Sequence, residues 1–198
     1  MRITRTLSTV SLGVVALAGS LKAESSSFTG FGVGLNLGMN NVGLQDVVIP
    51  EAPDIEDVKH GLAGSQVGLS VAYGMEFSGP YVGARLGYDM RFLPKGQVVR
   101  SKNSVKLDAH FGIAIDNIVL PTLFVGYGMN KMEFQTKDTW TKPTNFGGLR
   151  YGARVDFKVA PQITVGLSSA WWGGKNTIDE AEYTSYSSET TLNIAYHL

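Results

Sequence analysis

The chain has no cysteine, only three histidines and no surplus of either charge, with 17 basic residues against 17 acidic ones. Without thiols it carries no disulfide, no cysteine-ligated metal and no thiol catalysis, so a secreted protein of this size must be held together by other means. Balanced charge removes the electrostatic case for nucleic acid as a partner. Beyond residue 23 no apolar run approaches the roughly 20 residues that a membrane helix needs, yet mean hydropathy is slightly positive at +0.03. A rather apolar chain without apolar runs must distribute its hydrophobicity with another period.

The first residues stand apart from the rest. Arg2 and Arg5 precede a mostly apolar and small stretch, Leu7 to Leu21, and Leu21-Lys22-Ala23 leads into the polar run Glu24-Ser25-Ser26-Ser27. This three-part pattern is that of a secretory signal peptide. It predicts a leader over residues 1–23 and one mature domain over 24–198. Loss of Arg2, Arg5 and Lys22 with the leader takes the balance to 14 basic against 17 acidic residues.

After the leader the dominant period is two. Phe31, Val33, Leu35, Leu37 and Met39 alternate with Gly32, Gly34, Asn36 and Gly38, the signature of a strand with one apolar side. The pattern returns over 67–76, 82–92, 106–115, 123–130, 149–158, 163–172 and 191–198, with Ser169 the one polar residue on the apolar face of its segment. Connections alternate as well. Phe77-Ser78-Gly79-Pro80, 116–121 and 159–162 are tight and built from turn residues, whereas 40–66, 93–104, 131–147 and 173–186 are long and polar. Tight turns at one end and long loops at the other predict an up-and-down barrel with a periplasmic N-terminus.

Charge decides which face meets lipid. The second face carries Glu76, Arg85, Asp89, Arg91, Lys106, Asp108, His110, Arg150, Arg154 and Asp156, while the centres of the apolar face carry no charge. A basic residue on the lipid face costs about 2–4 kcal/mol near the bilayer midplane, so the apolar face is the outer one. The expected fold is all-β, an eight-stranded antiparallel up-and-down transmembrane β-barrel. An interior of that size is only just wide enough for side chains. Glycines on the inner face are therefore expected to make room for Arg85, Arg91, Arg150 and Arg154. Phe31, Phe77, Phe92, Phe157, Trp171 and Tyr196, near strand ends on the outer face, suit interfacial girdles.

With the opening Phe-Gly-Val-Gly-Leu-Asn-Leu-Gly strand, the Val-Gly-Ala-Arg-Leu-Gly-Tyr and Tyr-Gly-Ala-Arg-Val-Asp-Phe segments and the closing Thr-Leu-Asn-Ile-Ala-Tyr-His-Leu, the chain resembles the small outer-membrane β-barrel family of OmpA-like and opacity-type surface proteins. The similarity covers essentially everything after the leader. It implies a porin-like or surface protein of the Gram-negative cell envelope, located in the outer membrane and surrounded by its lipid. No peptidoglycan-binding domain is expected after the last strand. A lipid deacylase of the family would resemble a His-x-Ser pair on a lipid-facing strand, and His60, His110 and His197 form none.

Asp108 and His110 share one strand face, which is expected to make them part of the interior polar network. Catalysis needs a positioned third partner, so an enzyme is not expected. The acidic patch Glu51, Asp54, Glu56 and Asp57 does not have the spacing of a calcium loop. Neither metal nor cofactor is expected. Interior charges of mixed sign persist only when paired, which predicts a salt-bridged plug and leaves function to the outer loops. The alternative is a narrow porin passing ions or small solutes. The loops 40–66, 93–104, 131–147 and 173–186, which carry Val47-Val48-Ile49-Pro50, Trp140 and Tyr183, are the expected contacts for an extracellular or host ligand. The protein is expected to be a monomer.

Overall fold

Each alternating segment forms a strand, and the pairing of the strands closes a barrel. The computed structural model describes residues 28–45, 62–92, 99–136, 139–140, 143–178 and 181–198. The leader, the Val47–Pro50 run, the acidic patch and His60 lie outside the described residues. In chain order the strands are β1 (Gly30–Gln45), β2 (Leu62–Glu76), β3 (Pro80–Phe92), β4 (Val99–Ile113), β5 (Val119–Thr136), β6 (Thr139–Trp140), β7 (Thr144–Ala160), β8 (Ile163–Ile178) and β9 (Ala181–His197). The two-residue β6 is a spur paired only with β5. The other eight run β4-β3-β2-β1-β9-β8-β7-β5, and a β4–β5 pairing joins the ends. All the pairings are antiparallel.

Polarity is inverted relative to a water-soluble domain. Leu69 is 57% exposed and Leu123 68%, whereas Asp89 and Asn193 are fully buried. The alternation forces this: one face of every strand is apolar and the other polar, and the closed sheet turns the polar face inward. Phe31, Phe77, Phe92, Phe157, Trp171 and Tyr196 all stand exposed on the outer wall.

The turns follow from local chemistry. Asp116 and Asn117 both take positive φ, and the Ile118 amide donates to the Ile115 carbonyl at 3.0 Å. This is the two-residue turn whose twist suits a hairpin, and Asp and Asn tolerate its left-handed backbone. Gly79, at φ 119°, supplies a conformation closed to other residues in the β2–β3 turn.

At the other end the strands run further than the apolar pattern suggests. Residues 40–45 and 62–66 are strand rather than loop, as are 99–104, 131–136 and 144–147. The polar stretch 173–186 is almost wholly a paired hairpin, from Gly173↔Tyr186 to Ile178↔Ala181. The physical reason lies in the height of the wall. On β1 the outward apolar residues occupy Phe31–Met39, followed outward by Asn41 and Gly43. Nine residues rising ~3.3 Å each at a tilt of ~40° span about 23 Å, close to the ~25 Å apolar band of such barrels. The whole 16-residue strand reaches about 40 Å by the same geometry. The sheet therefore stands well clear of the lipid, where both faces meet water and alternation has no reason to persist.

Candidate functional site

Three strands bring the charged side chains of the lumen to one point on β9. Glu189 accepts from Lys106 Nζ at 2.7 Å through both of its oxygens. It also accepts from Arg150 Nη2 at 2.6 Å, and from Arg91 Nη2 and Gln66 Nε2 at 3.4 Å each. Lys106 also pairs with Asp89, and Arg150 with Asp108. Asp89 accepts in addition from Asn36 at 3.3 Å and Ser104 at 3.4 Å. The network thus spans β1, β2, β3, β4, β7 and β9. A buried charge is tolerated only when compensated in this way.

Aromatic rings complete the plug. The Trp172 ring lies across the lumen with Arg91, Lys106 and Arg150 at 5.1, 5.7 and 5.6 Å from its centroid, and Arg150 lies 4.7 Å from that of Phe124. These are cation–π distances. The inner glycines serve this packing more than the arginines. A side chain at Gly128 would overlap the Trp172 ring, one at Gly68 the Asp89 carboxylate, and one at Gly152 the tip of Phe124. Among the described glycines only Gly166 clears space beside an arginine, Arg154, and it also faces Asp156.

Towards the end that carries the tight turns a second cluster forms. Arg154 Nε donates to Asp156 at 2.5 Å and Nη2 to Asn193 Oδ1 at 2.6 Å, and Asn193 bonds to Asn36 across the β1–β9 seam. His110 Nδ1 lies 3.5 Å from Thr122 Oγ1, and its ring packs 5.0 Å from that of Phe124. Asp108 and His110 thus have different partners, Arg150 for the first and Thr122 for the second.

Of the ten residues expected to form the interior network, eight are brought together through these contacts. Glu76 departs from the expectation: it sits where β2 leaves the barrel and accepts the Phe28 amide at 3.4 Å, while its own amide donates to Thr29 Oγ1 at 3.1 Å. Arg85 enters the lumen but takes no carboxylate partner among the described residues. The sequence reading missed Glu189, the centre of the network. Inward Ser185, Ser187, Glu189 and Thr191 continue the period of Asn193, and that continuation was the available signal. Among the described residues no group of three His, Asp or Glu is placed to hold a metal ion, and the lumen carboxylates are taken up by cationic side chains.

A family model described as the outer membrane protein beta-barrel domain matches residues 9–193. No curated protein matches the chain. Among solved structures, Neisserial surface protein A aligns with a TM-score of 0.62 at 13% identity, over 86% of this chain and 98% of its own. Looser likenesses are Ail, the attachment invasion locus protein of Yersinia pestis (TM-score 0.45, 13% identity, 83% and 99% covered), and OprG from Pseudomonas aeruginosa (TM-score 0.48, 9% identity, 88% and 99% covered). At such identities the likeness is one of fold.

Proposed function

This chain belongs to the outer membrane protein β-barrel domain family, and on that premise we propose that it is a plugged barrel of the bacterial outer membrane that acts through its outer rim. The observation that carries this reading is the Glu189 network, which ties six strands together across the lumen and lays Trp172 over its cations. Side chains locked in that way leave small cavities rather than a broad passage. The paired strand ends beyond the lipid band, above all 173–178 with 181–186, give the rim a rigid base on which an extracellular or host ligand is met. In this reading the protein is a monomer and not an enzyme, and its adhesive or envelope-structural role resides in the segments 40–66, 93–104, 131–147 and 173–186.

A narrow pore is the second reading. Buried lumen atoms such as Arg91 Nη1, Arg150 Nε and Trp172 Nε1 have no protein partner, which favours some hydration of the interior. Single-channel recording in a planar bilayer separates the two, with folding confirmed by the heat-dependent gel shift of a closed barrel. A folded and silent protein is expected. Reproducible discrete openings, with ion selectivity altered by charge changes at Arg85 or Arg154, would replace the plug with the pore.

A further inference from the structure

Among the described residues, Arg85 is the lumen cation that the network leaves without a bonded carboxylate. Asp89 is held by Lys106, Asp108 by Arg150, Asp156 by Arg154, and Glu189 by Lys106, Arg150 and Arg91. On β3, Arg85 stands opposite Asp108 of β4, yet Asp108 turns to Arg150 instead. That half-buried guanidinium faces the lumen with no carboxylate bonded to it among the described residues.

The surroundings of Arg85 say what would compensate it. Its side chain lies between two small cavities, one of about 30 Å³ and one of about 20 Å³, and lines both, as do His110 and Arg154. The larger cavity is faced by the carboxylates of Asp108 and Glu189. The smaller, on the periplasmic side, is faced by Tyr81 and Thr122, and its one carboxylate, Asp156, is already held by Arg154. His110 Nε2 is buried without a protein partner. In the tautomer whose Nδ1 accepts from the Thr122 hydroxyl, Nε2 carries the proton and is a free donor. Two arginines, the imidazole and the Tyr81 hydroxyl thus border one small space, the Thr122 proton being spent on His110. Its volume of about 20 Å³ exceeds the roughly 10–15 Å³ that one water-sized occupant needs, room for one monatomic ion.

We infer that the lumen binds a single halide ion, chloride in ordinary saline, in the cavity bounded by Arg85, Arg154, His110 and Tyr81. The ion neutralises Arg85 and fastens β3 to β4 and β7 near the periplasmic turns. It is a fixed component of the wall, and whether the barrel conducts is a separate matter: a conducting barrel with a bound halide and a silent one without it are both distinguishable outcomes.

The full protein is unfolded and refolded in sodium bromide, so that a buried site fills during folding, then crystallised for anomalous diffraction at the bromine edge. The expected result is a bromide peak beside the Arg85 guanidinium, retained in Arg85→Lys and lost in Arg85→Gln. A cavity whose density carries no anomalous signal would mean water only and would overturn the proposal. So would a bromide peak that persists in Arg85→Gln. Should Arg85→Gln fail to refold, the wild-type bromide map decides alone. Chlorine NMR gives a second readout: excess line broadening over detergent alone, removed by competing bromide.

Discussion

Glu189 is one carboxylate answering three cationic side chains, and its neutral isostere tests how much depends on it. Glu189→Gln keeps the shape and removes the charge, leaving Lys106, Arg150 and Arg91 short of compensation in the lumen. Removing one partner from a buried pair costs about 3–5 kcal/mol. The urea midpoint of the refolded barrel is therefore expected to fall markedly, and an unchanged midpoint would mean that lumen water screens these charges. The same residue marks the limit of what was legible one side chain at a time. Asp89, Lys106, Asp108 and Arg150 were readable as inward by parity alone. Which of them meet was not readable, because strands distant in sequence set it: Arg150 and Glu189 are 39 residues apart and Lys106 and Glu189 are 83 apart. Trp172 was likewise inward by parity, but its position against three cations depends on Gly128 making room for it.

Along a strand the two faces carry different information, and the difference changes with height. Within the lipid band the period of two holds with Ser169 as its exception on β8, so eight strands and three tight turns are legible directly. From its upper edge on, outward Asn41 on β1 and Ser188 and Thr190 on β9 are as polar as their inward neighbours, the contrast vanishes, and the sequence reads as loop. Glu189 lies in that silent zone, which is why it was missed. The band also sets the cost of a charge. Leu35→Arg places a guanidinium against lipid at a cost of about 2–4 kcal/mol, whereas Asn41→Arg, on the same outer face six residues further up, is expected to change stability little. Urea unfolding in lipid vesicles measures both, and equal losses would put the band in the wrong place.

At the scale of the molecule the barrel is stable without disulfides because closure leaves no strand edge unpaired. In lipid each open backbone group costs several kcal/mol, so stability belongs to the closed ring and is not divisible among hairpins. A chain ended before Ala181 lacks β9 and so loses both the β1 and β8 pairings. It is expected to show no heat-modifiable folded form on a gel, and a compact, heat-shifted species from that truncation would mean that seven strands suffice.

The seam between β1 and β9 also sets a timetable. Its strands come from opposite ends of the chain, and Asn36 meets Asn193 across 157 residues. The first strand made is thus one of the two that must wait for the last. Until translation has finished, every hairpin already synthesised exposes an apolar face and two adhesive edges, with nothing to seal against. The protein consequently has no sealed intermediate before the last strand is in place. A premature stop accordingly leaves an open, aggregation-prone sheet instead of a smaller barrel.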